Sequence, residues 1–384
     1  MNQTNTRYAI QNGAVVLPDA VVEGGTVLID DGRIHHAGAP RRTPRGFETV
    51  DARGGWVCPG LIEVHFHGAG RNSLDPPDEQ RFRAIAYVLL SRGITLFLPT
   101  MMASEAMIEG MAALIDAADL ARRIPGLYVE GPFVSPHKRG GIQEAYVRPI
   151  DLAYLDRLRA LARGRLRMMT FAPELDGADA LLPALIRRHI LPCVGHTTAT
   201  YERTARIVGR RTVNLTHLFN AMTGLDHRDP GVAAFGLNHD RVWVELNPDG
   251  THVHPELLKL TYRAKPRDRI ILVSDAVISA GEKPGDYEYM GRGVVADERG
   301  VYYRDQGTLV GSRLLLNQGM ARFMKYTGAR VHEAVRMASL NPATMLGLAA
   351  RKGSLEPGKD ADVVVFPRNF AKARAVFLEG ERML

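Results

Sequence analysis

Cysteine is almost missing from this 384-residue chain: there are two, Cys58 and Cys193, far apart. A disulfide framework is excluded, as is a cysteine-rich zinc module. No apolar run approaches the length needed to cross a bilayer, so no membrane role is expected. The first ten residues, Met1 to Ile10, are polar and lack an apolar segment, so no secretory signal is read there. Low-complexity tracts and internal repeats are missing too. What remains is a globular composition, 45% hydrophobic and 24% charged, and the default expectation is a cytoplasmic protein.

Acidic residues are in deficit, 42 against 49 basic ones, for a net charge of +7. The arginines are nevertheless scattered. The densest spots, Arg41-Arg42, Arg122-Arg123 and Arg210-Arg211, are only doublets, and no aromatic-and-basic module accompanies them. Nucleic acid is therefore not expected as a partner. A small acidic or phosphorylated substrate fits the same bias.

Residues 1–54 read as the first part of a small β domain. Ala14–Leu17 and Thr26–Ile29 are short β-like runs. Asp30-Asp31-Gly32 before Arg33-Ile34 reads as a tight hairpin turn. From residue 55 the rhythm becomes strand, then helix. Apolar runs fall at 61–67, 94–98, 126–130, 166–171, 190–196, 212–217, 242–247 and 270–275. Helical stretches are expected at 78–91, 104–122 and 177–188. Short apolar runs suit strands buried on both faces of a parallel sheet. Eight of them over some 250 residues give the expected α/β fold class, a (β/α)8 TIM-like barrel spanning 55–345. Residues 346–384 return to β character, with strands at 362–366 and 375–378. Both termini together are expected to form one small β-sandwich domain.

Polar groups recur at the ends of the proposed strands: His65 and His67, Glu130, His196, His217 and Asp275. In such a barrel the C-terminal strand ends share one rim, where active sites sit. His-x-His on a strand points both imidazoles to one face, since side chains alternate with period two. Imidazole nitrogen plus carboxylate oxygen is a zinc-like donor set. Singly, each residue has a plainer explanation: a packed histidine, or an aspartate capping a helix. Together, on one end of five strands, they point to a metal site.

The segment Pro59-Gly60-Leu61-Ile62-Glu63-Val64-His65-Phe66-His67-Gly68 resembles the first-strand signature of the amidohydrolase superfamily. Within it, the chain is similar to the N-acetylglucosamine-6-phosphate deacetylase family. The segments that carry this are Glu130-Gly131-Pro132-Phe133, Gly195–Thr200, Thr216-His217-Leu218-Phe219-Asn220-Ala221-Met222 and Val273-Ser274-Asp275-Ala276. Gly307–Ser312 and Asn341-Pro342-Ala343 extend the similarity, so it covers nearly the whole chain.

The resemblance implies that Glu130, His196 and His217 bind the principal metal. His65 and His67 would hold a second ion or enlarge a single site. It implies Asp275 as general base and acid, and Asn220, Ala221, Arg228 and His252 as sugar-phosphate contacts. A histidine that touches the acetyl group in some members corresponds here to Ile142, which leaves Gln143 or His137 to substitute. The implied cofactor is a divalent cation, zinc first, with Fe2+, Mn2+ or Co2+ compatible, one or two per subunit. The implied assembly is a homodimer. The expected reaction is hydrolysis of the acetyl amide of N-acetylglucosamine 6-phosphate, in amino-sugar catabolism or cell-wall recycling. The galactosamine epimer, or a different amide, is the alternative substrate. A catalytically silent scaffold is a third reading, disfavoured because every ligand-type residue and Asp275 are present.

Overall fold

Asp31 and Gly32 both take left-handed backbone angles (φ 50° and 70°), which is what a two-residue hairpin turn demands. They join strand Val21–Asp30 to Arg33–Gly38, with Asp30 opposite Arg33. The computed structural model describes residues 6–117 and 120–384. Met1–Asn5, part of the polar N-terminus, and Ala118 and Asp119, within the expected helix 104–122, lie outside the described residues. That helix is seen as Glu105–Ala117, and Ala121–Arg123 forms a separate 3-10 turn.

Packing divides the chain into two units. One comprises residues 1–63, 87–96 and 316–384, the other 64–86 and 97–315. The first unit holds an eight-stranded sheet made from both termini. Its long first strand, Arg7–Val16, pairs with Val21–Asp30, Phe47–Asp51 and Trp56–Pro59. Trp56–Pro59 pairs antiparallel with Val363–Phe366, which joins N- and C-terminal strands. The sheet is folded around a core of Ile10, Val15, Val27, Ile29, Val57, Val363 and Phe377. The helices Leu316–Thr327, Val331–Ala338 and Leu340–Met345 belong to this unit as well.

The barrel is one parallel sheet. Its strands run in chain order: Leu61–Phe66, Ile94–Met102, Leu127–Phe133, Leu166–Phe171, Leu191–Val194, Asn214–Leu215, Trp243–Leu246 and Ile270–Leu272. Past the end of the eighth strand, a parallel bridge from Ala276 to Phe66 returns the chain to the first. Nearly every strand residue is buried, as a sheet covered on both faces requires. Inside, the Tyr128 hydroxyl lies 3.0 Å from Thr170 Oγ1 and 2.8 Å from Thr216 Oγ1, so three strands share one polar layer.

Between the eighth strand and helix Leu316–Thr327 the chain inserts a four-stranded antiparallel meander, which the strand–helix rhythm does not anticipate. Its strands are Gly285–Tyr289, Arg292–Ala296, Val301–Tyr303 and Leu309–Gly311. The signal was local: alternating Asp286, Tyr287, Glu288 and Tyr289, then a Met290-Gly291 turn with both residues at positive φ. No helix among the described residues is long and apolar enough to cross a membrane.

Candidate active site

His65 and Glu130 lie within the first and third barrel strands, whereas the other strands stop just short of the residues that carry the chemistry. His196, His217 and Asp275 follow the fifth, sixth and eighth strands, and all have positive φ (47°, 31° and 49°). Non-glycine residues rarely adopt this region, and each instance costs on the order of 1–3 kcal/mol. The turn that ends each strand aims its side chain into the rim. Gly195 makes this possible beside His196: a Cβ there would meet Thr216 Cβ at 2.7 Å. Glu174, after the fourth strand, accepts hydrogen bonds from the Thr197 hydroxyl and from Thr198 N and Oγ1, which pins the segment after His196.

Two donor clusters result, each with its ligand-type atoms within 4.8 Å of one another: Glu130, His196 and His217; and His65, His67 and Asp275. All six residues are buried. In the first, Glu130 Oε1 lies 2.9 Å from His196 Nε2 and 3.0 Å from His217 Nε2, and the two nitrogens are 3.0 Å apart. In the second, His67 Nε2 is 3.4 Å and His65 Nε2 3.9 Å from Asp275 Oδ1. Glu130 lies between the clusters, 3.7 Å from His65 and 3.6 Å from His67.

Three of the four imidazoles have Nδ1 against an acceptor. For His65 it is Glu245 Oε2 at 2.8 Å, for His67 the Thr100 carbonyl at 3.1 Å, and for His196 the Lys138 carbonyl at 2.8 Å. A proton on Nδ1 leaves the lone pair on Nε2, the nitrogen that faces the cluster. Acceptors behind metal-ligating histidines fix the tautomer in this way. Converging nitrogen and carboxylate donors, away from water and backed like this, fit a divalent cation.

The charges reinforce one another. Burial opposes ionisation of Glu130, yet His196, His217 and His65 hold its carboxyl well below the usual range. Asp275 is likewise depressed against burial by His65, His67 and His252. Burial works against protonating His65, but Glu245, Asp275 and Glu130 carry its pKa up to about 10 with only protein groups around it. Asp275 is anchored by backbone bonds on both sides: its N–H donates to the His65 carbonyl at 2.9 Å, and its carbonyl accepts from Ser312 N at 2.8 Å.

A cavity of about 390 Å³ opens over the clusters, a size suited to a small-molecule ligand. Its walls include His67, Glu130, His196, His217, Asp275, Asn220, Ala221 and His252. His252 Nδ1 is 2.7 Å from Asp249 Oδ2 and its Nε2 is 3.7 Å from Asp275 Oδ2, so it stands beside the proposed acid/base. Of the residues expected around the acetyl group, Ile142 and His137 line the cavity. Gln143 does not; its side chain donates to the Met290 carbonyl at 3.4 Å. Arg228 is exposed and lies outside the cavity.

Sequence reasoning missed two contributions. The inserted meander supplies Tyr289 and Thr308–Val310 to the cavity wall, although Gly307–Ser312 already stood out by resemblance. Glu245 sits behind His65, and the only signal was an acidic residue inside an otherwise apolar strand.

An eight-stranded barrel with histidine and carboxylate clusters at its rim defines the class, and the amidohydrolase family model matches residues 56–382. The chain belongs to the amidohydrolase family. It is 32% identical to N-acetylglucosamine-6-phosphate deacetylase of Bacillus subtilis (strain 168), over 93% of this chain and 92% of that protein. It is also 32% identical to N-acetylgalactosamine-6-phosphate deacetylase of Escherichia coli O157:H7, over 85% of this chain and 87% of that one. Among solved structures it superposes with a TM-score of 0.90 on a point mutant of N-acetyl-D-glucosamine-6-phosphate deacetylase from Mycobacterium smegmatis, in complex with N-acetyl-D-glucosamine-6-phosphate. That match is 26% identical and covers 98% of this chain and 99% of the other.

Proposed function

We propose that this protein hydrolyses the acetyl amide of N-acetylglucosamine 6-phosphate, giving acetate and glucosamine 6-phosphate. The observation that carries this is the pair of donor clusters joined through Glu130 and set beside an anchored, ionised Asp275 at the floor of the cavity. The similarity to phosphorylated amino-sugar deacetylases supports the substrate class.

Glu130, His196 and His217 are the residues proposed to hold a divalent cation, with His65 and His67 as further ligands. Zinc is the ion proposed, since nitrogen and carboxylate donors suit it. A cation held there lowers the pKa of water to about 7 and polarises a carbonyl oxygen. Asp275 then takes a proton from the attacking water and returns it to the amine nitrogen as the C–N bond breaks. Its depressed pKa keeps it ionised, and so able to accept that proton, at neutral pH. His252, braced by Asp249, faces the far oxygen of Asp275 and limits its rotation.

Asn220 and Ala221 line the cavity and are proposed to contact the sugar phosphate, and His252 is within reach of the same substrate. His137 and Lys138 are basic residues on the same wall. Arg228 is proposed as a phosphate ligand, but from its exposed loop it needs a substrate delivered to it or a neighbouring subunit. A homodimer is proposed, in which Arg228 would reach the cavity of the neighbouring subunit. Gln143, held by Met290, would need to turn inward to touch substrate. A cytoplasmic location is proposed.

The test compares acetate release from N-acetylglucosamine 6-phosphate, the unphosphorylated sugar and the galactosamine 6-phosphate epimer. The first is expected to turn over best, with kcat/KM at least tenfold above either of the others. Preference for the epimer would move the specificity and keep the chemistry, an outcome given weight by the equal identity to the galactosamine enzyme. No turnover of any of the three would overturn the substrate class.

A further inference from the structure

Glu245 lies on the seventh barrel strand with its side chain fully buried inside the barrel. Three donors converge on its carboxylate. His65 Nδ1 is 2.8 Å from Oε2, the backbone N–H of His217 donates to the same oxygen at 3.1 Å, and Asn214 Nδ2 donates to Oε1 at 2.6 Å. Among the described residues its one ion-pair partner is His65; no lysine or arginine reaches it. A buried charge is ordinarily paired or set against a metal, so this carboxylate is unusual for a strand interior.

The backbone N–H of His217 can only donate, so Oε2 is an acceptor, and His65 Nδ1 at 2.8 Å from the same oxygen carries a proton. That leaves Nε2 as the nitrogen of His65 that would face a cation beside Glu130 and Asp275. The oxygen that does this also holds the main chain of His217, where φ is 31° and the backbone needs a reason to stay. His65 belongs to one donor cluster and His217 to the other. We infer that Glu245 is a positioning residue that assembles both clusters at once, fixing the tautomer and basicity of His65 and the backbone turn that presents His217. The inference rests on the proposal that the clusters bind a divalent cation. It adds a residue that touches neither ion nor substrate.

Substitution separates this role from a merely structural one. Glu245→Leu removes every acceptor and leaves the three donors of His65, His217 and Asn214 facing an apolar side chain. Glu245→Gln keeps the shape but offers one neutral oxygen. If that oxygen faces His65, the amide donors face Asn214, which must turn over; if it faces Asn214, the donors face His65 Nδ1. Either way the ring loses the carboxylate that faces it. Partners behind metal-bound histidines are worth about 10–100-fold in metal affinity.

The experiment strips the full-length protein with a chelator and titrates Zn2+ against a chromophoric competitor, with circular dichroism to verify folding. His67→Ala identifies the zinc that depends on the second cluster. Glu245→Gln is expected to bind that zinc about 10–100-fold more weakly than wild type, and Glu245→Leu to lose it and weaken the zinc at His217 as well. If Glu245→Leu does not fold, Glu245→Gln decides alone. Wild-type zinc affinity in folded Glu245→Gln overturns the inference. So does a wild-type protein from which His67→Ala removes no zinc, although a deacetylase using only Glu130, His196 and His217 would survive that result. A wild-type protein that binds no zinc overturns both.

Discussion

Asp275 combines a depressed pKa with a position that few other carboxylates in the barrel share. Its backbone is clamped between the first strand and Ser312, and its two oxygens face different histidines. Replacing it with asparagine keeps size and hydrogen-bonding shape but removes the proton shuttle. General acid–base groups contribute about 10²–10⁴-fold, so Asp275→Asn is expected to lower kcat by that range while the protein stays folded and KM changes little. Steady-state kinetics with melting as a control checks this; full turnover in the variant would remove Asp275 from the mechanism. Much at this scale is legible in the sequence, because every one of these ligand-type residues sits at or just after an apolar run. What the strands alone do not disclose is that His196, His217 and Asp275 leave β geometry altogether. A positive φ at a non-glycine residue has no compositional mark. Nor does Glu245 announce its partners, because His65 and His217 are 180 and 28 residues away.

At the scale of elements, the helix Gly231–Asn238 ends with its last carbonyls turned toward Lys265. The ammonium donates to the carbonyls of Gly236 and His239, both at 2.6 Å. This satisfies groups that a helix C-terminus leaves open. Burial, only partly offset by Asp240, lowers the lysine pKa from 10.5 to about 8. The folded state therefore releases this proton before the unfolded state does, and between about pH 8 and 10.5 the unfolded chain binds more protons. Stability from this group rises with pH across that window. Lys265→Met should flatten that rise relative to wild type and lower stability near neutral pH by about 1–3 kcal/mol, the cost of leaving buried acceptors unsatisfied. Denaturant unfolding at pH 7.5, 9 and 10.5 measures both effects; parallel pH profiles for the two proteins would contradict the assignment. The barrel strands themselves were readable as short apolar runs bounded by turns. The meander at 285–311 was not, because it interrupts the strand–helix rhythm and its alternation is brief.

At the scale of the whole molecule, the chain returns on itself: strands near residues 57 and 364 pair, three hundred residues apart. Sequence pattern suggests two β-rich ends but cannot show that they meet, because strand pairing is a long-range choice. The same limit applies to Arg228, which similarity places at the phosphate and the single chain leaves exposed. If a second copy completes the site, Arg228→Ala should raise KM for the phosphorylated substrate about tenfold or more, leave the unphosphorylated sugar unaffected, and act in a protein whose mass in solution is twice that of the chain. An unchanged KM would remove Arg228 from substrate recognition.

The central claim is that this cavity hydrolyses an acetyl amide through a cation held by Glu130, His196 and His217. The most direct measurement is acetate released from N-acetylglucosamine 6-phosphate by metal-replete protein, by the same protein after chelation, and after Zn2+ is restored. The account predicts one acetate per sugar cleaved, loss of at least a hundredfold in rate on chelation, and recovery with the added ion. Undiminished acetate release from protein verified free of metal would contradict it.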